Sequence, residues 1–115
     1  MTLPFKSLSK DVSVAPQLGP EAMAEAVAAG FRSVVNNRPD FEGGPDQPTS
    51  ASVEAAARAA GLEYEWLPVA PNIHSAAEIA RFAELLAMLP KPILVFCRSG
   101  ARSTKLYNAA IATPR

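Results

Sequence analysis

Apolar and polar positions recur along the chain with two different periods, which predicts alternating strands and helices. Short apolar or alternating runs predict strands at 12–18, 31–37, 62–69 and 92–96. Apolar positions three or four residues apart and alanine-rich stretches predict helices at 19–30, 50–61, 75–89 and 101–112. The stretch 38–50 contains three prolines and two glycines, and it is predicted to be a loop.

Local signals support these boundaries and the class of fold. Ser75 and Glu78 have the spacing of a capping box at the start of one helix, and Gly61 is placed to end another. The run 92–96 is apolar throughout, as expected of a strand covered on both faces. Alternating strands and helices favour an α/β domain with a mainly parallel sheet, and 115 residues fit one domain over 1–115.

The charge is balanced overall but unevenly distributed. Residues 1–90 contain six lysines and arginines and all eleven acids, a net charge of −5, whereas residues 91–115 contain five basic residues and no acid, a net charge of +5. This basic end favours a small anionic ligand nearby. A solvated basic terminus is the alternative interpretation. The overall balance indicates no nucleic-acid or membrane partner.

The low number of cysteine and histidine residues limits which disulfides and metal sites the chain can form. One cysteine and one histidine are too few for an internal disulfide or a cysteine–histidine metal cluster, so we expect no metal and no cofactor. No run approaches the ~20 apolar residues that span a bilayer. The first residues lack the apolar core of a signal peptide, and we expect a cytoplasmic protein.

The single cysteine, Cys97, directly follows the apolar run 92–96. In parallel sheets, ligands bind beyond the carboxyl ends of the strands. The next residues lead into a helix, and amides at such a turn can form a cradle for an anion. These amides and Arg102 are expected to lower the pKa of the thiol. The predicted anion-binding loop comprises Arg98, Ser99, Gly100 and Ala101.

Each side chain of this segment has a predicted role. Cys97 is the candidate nucleophile, and the planar donors of Arg102 suit two oxygens of a phosphate or sulfonate. Ser103 is placed to donate a hydrogen bond to the Cys97 sulfur and to help a thiolate leave. The alternative is an ordinary buried cysteine without chemistry.

These residues carry two resemblances. The segment CRSGARS (97–103) resembles the active-site loop of rhodanese-type sulfurtransferases, whose cysteine carries a persulfide. The stretches 19–40, 59–69 and 92–103 resemble the beta-lactamase-hydrolase-like, phosphatase-like domain family, over nearly the whole chain. That resemblance implies a protein-tyrosine-phosphatase-like fold of the dual-specificity type, with a central, mostly parallel sheet flanked by helices on both faces. Some members are fused to metallo-hydrolase or sulfur-dioxygenase domains, which implies a sulfur-metabolism partner or a separate equivalent of the fused domain.

The sequence departs from the phosphatase pattern in two ways. Phosphatases of this fold have five residues between cysteine and arginine, whereas four separate Cys97 from Arg102. The loop after 62–69 has no carboxylate where those enzymes supply a general acid. Asp40 and His74 are the candidates for that role, although a turn role for Asp40 and a solvent-facing position for His74 are the simpler interpretations.

Three functions follow from these features. A sulfurtransferase that forms a Cys97 persulfide is the favoured hypothesis, because a thiolate leaving group needs little help from a general acid. A phosphatase that forms a phosphocysteine is the alternative. The third is a non-catalytic anion-binding or docking module. The expected ligand is a small anion, either a sulfane-sulfur donor or a phosphate ester.

Overall fold

A computed structural model describes residues 3–112, so positions 1–2 and 113–115 of the predicted domain lie outside the described residues. Within 3–112 the chain forms five strands and four α-helices. They are β1 Lys6–Ser7, β2 Val12–Ala15, α1 Met23–Ala28, β3 Ser33–Asn36, α2 Ser50–Ala59, β4 Glu63–Trp66, α3 Ala76–Met88, β5 Ile93–Phe96 and α4 Ala101–Ala112.

The predicted elements are present, with shorter limits and one addition. The two-residue strand β1 was not predicted, because both of its residues are exposed and it shows no apolar pattern. The helix predicted at 19–30 begins as a 3-10 turn over Pro20–Ala22 and continues as α1. The capping box of α3 is present, since the Ser75 side chain accepts a hydrogen bond from Glu78 N and the Glu78 side chain accepts one from Ser75 N.

The strands form one mixed sheet in the order β1-β2-β5-β3-β4. Only the edge pair β1–β2 is antiparallel, and β2, β5, β3 and β4 run parallel. The chain passes from β2 to β3 and returns only later to place β5 between them. The carboxyl ends of β2, β3 and β5 therefore meet at one edge of the sheet, where the strand order reverses and ligands bind in such folds.

Strand β5 is the centre of the hydrophobic core. Its side chains alternate between the two faces of the sheet. Leu94 and Phe96 pack in the core on the face covered by α1 and α2, whereas Ile93 and Val95 pack in the core on the face covered by α3 and α4. All four are fully buried, and each such burial is worth about 1.5–3 kcal/mol. The position where β5 ends is therefore fixed from both sides.

Strand β4 shows that the alternation of apolar and polar residues does not predict the burial of every side chain. Leu62 and Tyr64 are buried as their positions predict, but Trp66 is 43% exposed. Trp66 ends the edge strand, and its indole N–H donates to the Arg38 carbonyl oxygen at 2.9 Å. The Tyr64 hydroxyl lies 2.7 Å from Ser50 Oγ and joins α2 to the sheet. Trp66 thus supports the loop that follows β3.

Candidate active site

The loops at the carboxyl edge of the sheet are joined by main-chain hydrogen bonds. Asn37 N, after β3, donates to Phe96 O at 2.9 Å, and Gln17 N, after β2, donates to Arg98 O at 3.1 Å. The loop that follows β5 is therefore held between the loops of the two neighbouring strands. The main chain around Cys97 therefore has a defined position.

Cys97 begins a tight turn into α4. Gly100 N donates to the Cys97 sulfur at 3.1 Å, so the main chain folds back over the thiol. This requires Gly100 to adopt a φ of +94°, a region that residues with a side chain rarely occupy. Thr104 N and Thr104 Oγ1 both donate to Gly100 O, at 3.0 and 2.8 Å, which fixes the first turn of α4.

The environment of Cys97 favours the thiolate although the side chain is fully buried. Burial by itself raises the pKa of the thiol. Hydrogen bonds from the Ser103 side chain and from the main chain of Ser103, Gly100 and Ser99 outweigh burial, so the pKa of Cys97 is lowered. The Gly100 amide thus points toward the sulfur.

The Ser103 hydroxyl has two possible acceptors. Ser103 Oγ donates to Asn37 Oδ1 at 2.8 Å, and Asn37 Nδ2 donates in turn to Leu67 O at 3.0 Å. Since a hydroxyl has one proton, Ser103 can donate to Asn37 or to the Cys97 sulfur, but not to both at once. The resting geometry shows the bond to Asn37. The predicted donation to sulfur, which also contributes to the lowered pKa, requires the hydroxyl to rotate.

Arg102 lies in the first turn of α4 with its side chain 7% exposed. Its Nη1 donates to Val69 O at 3.3 Å, and its Nη2 donates to Glu42 Oε1 at 3.0 Å. Its Nε is buried and has no hydrogen-bond partner. A buried donor without an acceptor is costly, so this guanidinium retains capacity for a further oxygen.

A second buried arginine, Arg38, follows β3 and shares the same carboxylate. Arg38 Nε donates to Glu42 Oε1 at 2.8 Å, and Arg38 Nη1 donates to Gln17 Oε1 at 3.0 Å. Burial alone would raise the pKa of Glu42. The hydrogen bonds and charges of Arg102 and Arg38 outweigh it, so the pKa of Glu42 is lowered. Glu42 is therefore ionised at neutral pH.

These groups line an open cavity of about 480 Å³, within the size range of small-molecule sites. Its walls come from three of the loops at the carboxyl edge, and they are Arg38, Glu42, Gly43, Pro71, Arg98 and Arg102. Three guanidiniums and one carboxylate give this lining a net positive charge. The Cys97 sulfur is not among the lining groups.

The structure places the remaining predicted residues outside this lining. The carboxylate of Asp40 accepts a hydrogen bond from Ser50 N at 2.8 Å, at the start of α2. His74 Nε2 lies 2.9 Å from Ala70 O within its own loop. Ser99 and Ala101 have exposed side chains, and Ser99 Oγ accepts a hydrogen bond from Ala101 N at 3.4 Å.

Glu42 and Asn37 are the residues that sequence reasoning missed. Glu42 was passed over because it lies in the proline- and glycine-rich loop, and Asn37 because it ends an apolar run. Both follow β3, and β3 pairs with β5. The available signal for both residues was their position just after a strand that pairs with β5. The sequence alone does not show which strand pairs with β5, so this signal could not be used.

Two further properties concern only the part of the chain that is described. Among residues 3–112, no three histidine, cysteine, aspartate or glutamate side chains are grouped to hold a metal ion. Over the same span, no helix combines the length and the hydrophobicity needed to cross a membrane.

Comparison with known proteins adds the family and the fold. Residues 4–113 match the family described as beta-lactamase hydrolase-like protein, phosphatase-like domain. A beta-lactamase hydrolase-like protein from Xylella fastidiosa (strain Temecula1 / ATCC 700964) is 34% identical over 100 residues, which cover 87% of this chain. The chain spans only 23% of that relative's length.

Solved structures show the same architecture. A provisionally named phosphatase from Neisseria meningitidis superimposes with a TM-score of 0.82 and 26% identity, over 94% of this chain and 78% of that one. TpbA from P. aeruginosa, crystallised with pTyr, gives a TM-score of 0.61 at 15% identity, over 84% and 54%. The predicted protein-tyrosine-phosphatase-like fold is confirmed, and the comparisons support a cysteine-based, phosphatase-like function better than the favoured sulfurtransferase hypothesis.

The match extends over nearly the whole chain, including the strand, turn and helix that hold Cys97. The chain therefore belongs to the beta-lactamase hydrolase-like protein, phosphatase-like domain family.

Proposed function

We propose that the domain hydrolyses phosphate monoesters through a phosphocysteine at Cys97. The Cys97 thiolate attacks phosphorus, the bond from phosphorus to the ester oxygen breaks, and the leaving oxygen takes a proton from solvent or from a donor on the substrate. Water then attacks the phosphocysteine, inorganic phosphate leaves, and the thiolate is restored. Neither step needs an oxidant or a cofactor.

The observation that carries this proposal is the buried, unpartnered Nε of Arg102. In a guanidinium, Nε and one Nη present two parallel donors, which match two oxygens of a phosphoryl group. Nη1 is anchored on Val69 O, so Nε and Nη2 form the pair that faces a ligand. Four residues separate Arg102 from Cys97, whose pKa is lowered, so one short segment carries both the donors and the candidate nucleophile.

The missing proton donor indicates the substrate class. Asp40 is bonded to the start of α2, His74 is held within its own loop, and Glu42 is ionised. General-acid assistance is worth about 10²–10⁴-fold in rate, and an alkoxide leaving group depends on it far more than a phenoxide does. We therefore expect aryl phosphates to be preferred. TpbA, which shares the fold, was crystallised with pTyr.

The test compares phosphotyrosine with glycerol phosphate as substrates. We expect the aryl ester to turn over at least about 100-fold faster, in keeping with the lack of a general acid. Acid quenching during turnover followed by mass spectrometry should find one phosphoryl group on Cys97. Cys97→Ser should abolish turnover.

A pair of conservative variants separates the arginine's donor geometry from its charge. Arg102→Lys keeps the charge but loses the paired donors, and we expect kcat/KM to fall about 100-fold or more. Arg58→Lys is the control, because Arg58 is exposed on α2 and pairs with Glu54 away from the cavity. Full turnover by Cys97→Ser, or equal losses in the two lysine variants, would refute the proposal.

Sulfur transfer is the second candidate, favoured by the four-residue spacing between Cys97 and Arg102. The Cys97 thiolate would attack the outer sulfur of a sulfane-sulfur donor, the bond from that sulfur to the donor would break, and the donor would leave as sulfite or a thiolate. An acceptor thiolate would then take the outer sulfur, become a persulfide itself and restore the Cys97 thiolate. A sulfur-metabolism partner, or a separate equivalent of the rest of the longer relatives, would supply or receive that sulfur. Incubation with thiosulfate and mass spectrometry of the intact protein would detect a gain of one sulfur atom. A persulfide without any phosphocysteine would favour this candidate.

A further inference from the structure

The carboxylate of Glu42 occupies the arginines that face the cavity. One oxygen, Oε1, accepts from Arg38 Nε at 2.8 Å and from Arg102 Nη2 at 3.0 Å. Both arginine side chains are nearly buried, at 9% and 7% exposure, whereas the glutamate is 25% exposed. The more accessible member of this cluster is thus the anion, and it holds the Nη2 donor that a phosphoryl oxygen would use.

Both arginines have anchors that do not depend on Glu42. Arg102 Nη1 is bonded to Val69 O, and Arg38 Nη1 is bonded to Gln17 Oε1. If the carboxylate moved away, each guanidinium would keep a hydrogen bond that fixes its position. Two positive charges would then line the cavity, and the buried Nε of Arg102 would still lack an acceptor. The arrangement therefore does not need Glu42 for support.

The loop that presents Glu42 is strained beside it. Phe41 has a φ of +62°, a conformation that is rare for a residue with a bulky side chain, and its ring is 68% exposed. The flanks of the loop are fixed, because Gln47 accepts from Gly43 N at 2.7 Å and donates to Pro39 O at 2.8 Å. Strain of this kind persists where the surroundings enforce it and is common at ligand-binding sites.

We propose that Glu42 is an internal carboxylate that takes the place of a phosphoryl oxygen in the empty site, and that substrate must displace it. This deepens the proposed function by naming a group on the protein that competes with the substrate. Glu42 therefore weakens the binding of every anion that uses these donors. A dianionic phosphoryl group interacts more strongly with the two guanidiniums than a monoanion does, so it displaces Glu42 more readily than a sulfate monoester or a carboxylate.

The size of the effect follows from competition for the site. If Glu42 holds the arginines for 90–99% of the time, it weakens every competing anion about 10- to 100-fold. Glu42→Gln keeps the shape of the side chain and an oxygen that accepts from both arginines, but it removes the charge. Phenyl sulfate and phenyl phosphate should then both bind about 10- to 100-fold more tightly.

The experiment is a calorimetric titration of phenyl phosphate and phenyl sulfate into Cys97→Ser and into Cys97→Ser with Glu42→Gln. The serine background prevents turnover, so binding is measured whether or not the domain is a phosphatase. The matched control is Glu54→Gln, which removes an exposed ion pair with Arg58 on α2 and should leave both affinities unchanged.

A second measurement needs no substitution at position 42. Phenyl sulfate stays monoanionic in mild acid, and the other charged groups that line the cavity are Arg38, Arg98 and Arg102. Protonation of Glu42 as the pH falls through its lowered pKa should therefore tighten phenyl sulfate binding to Cys97→Ser. In Glu42→Gln the affinity should be independent of pH over that range.

The outcomes are distinct. Tighter sulfate binding in the glutamine variant and in acid supports the proposal. Weaker binding of both ligands in the glutamine variant would show that Glu42 holds the arginines in place. Unchanged binding with a loss of kcat on glycerol phosphate would show that Glu42 is a proton donor. Either result overturns the proposal. Failure of both ligands to bind either protein overturns it too. Failure of the proposed function would appear separately, as turnover without phosphocysteine or as no turnover by the unmodified protein.

Discussion

The turn at Gly100 offers the most direct test of the link between backbone geometry and chemistry. A Cβ at this position would lie 3.6 Å from Ala15 O, an ordinary contact, so space does not exclude alanine. The obstacle is the φ of +94°, which costs an alanine about 1–3 kcal/mol. In Gly100→Ala, rotation of the peptide should relieve this strain. The main-chain N–H of residue 100, which lies 3.1 Å from the Cys97 sulfur in the unsubstituted protein, would then turn away from the sulfur.

The magnitude follows from the lost hydrogen bond. A hydrogen bond to a charged group contributes about 1.5–3 kcal/mol. Its loss raises the pKa of Cys97 and lowers the ratio of thiolate to thiol about 10- to 100-fold at any pH below the midpoint, since each 1.4 kcal/mol is a factor of ten. Cys97 is the only cysteine, so the ultraviolet absorbance of the thiolate, followed against pH, reports this site alone.

Gly61 supplies the matched control. It has a φ of +90°, and a Cβ there would meet no atom within 4 Å. Gly61→Ala and Gly100→Ala should lose similar stability in urea unfolding, about 1–3 kcal/mol each. Only Gly100→Ala should move the thiolate titration to higher pH. A titration that is unchanged in Gly100→Ala, or that shifts equally in both variants, would refute the link between this amide and the sulfur.

Three further predictions concern the same edge of the sheet. Ser103→Ala should raise the pKa of Cys97 and lower the thiolate-to-thiol ratio about 10- to 100-fold in the same titration, because a donor to the sulfur is lost; an unchanged ratio would show that the hydroxyl never donates to sulfur. Phe41→Asn should raise the free energy of unfolding by up to about 1 kcal/mol, because asparagine tolerates positive φ at this exposed site, and a lower urea midpoint would contradict the strain. The pKa of Glu42 is lowered, so its ion pairs stabilise the fold above the ordinary carboxyl pKa and are lost as the pH falls through the lowered value. Glu42→Gln should lack this part of the acid dependence, and parallel curves of unfolding free energy against pH would contradict it.

Much of the fold could be predicted because the signals are local. The apolar run before Cys97 predicted a strand covered on both faces, and β5 is fully buried at the centre of the sheet. The Ser75 and Glu78 side chains form the predicted capping box, whose partners are three residues apart. The exposure of Trp66 could not be predicted, because the period of two does not show where an edge strand ends.

The candidate site was only half predictable. The candidate nucleophile Cys97, the loop that follows it and Arg102 are contiguous in the sequence, so their proposed chemistry follows from spacing and from the start of a helix. The partners of Arg102 are not contiguous with it, since Val69 and Glu42 lie 33 and 60 residues away. Asp40 was chosen as the carboxylate in place of Glu42, two residues further on, because no local pattern reports which of them turns toward the arginines.

The sequence by itself determined an α/β alternation, a cysteine placed at the end of an interior strand, and a turn rich in amide donors beside an arginine. These are properties of neighbouring residues, and local conformational preferences are enough to set them. The tertiary structure alone decided that β5 lies between β2 and β3, and this brings Arg38, Asn37 and Glu42 to the loop after β5. Pairing between distant segments sets this strand order, because burying both faces of the central strand stabilises contacts between residues that are far apart in the chain.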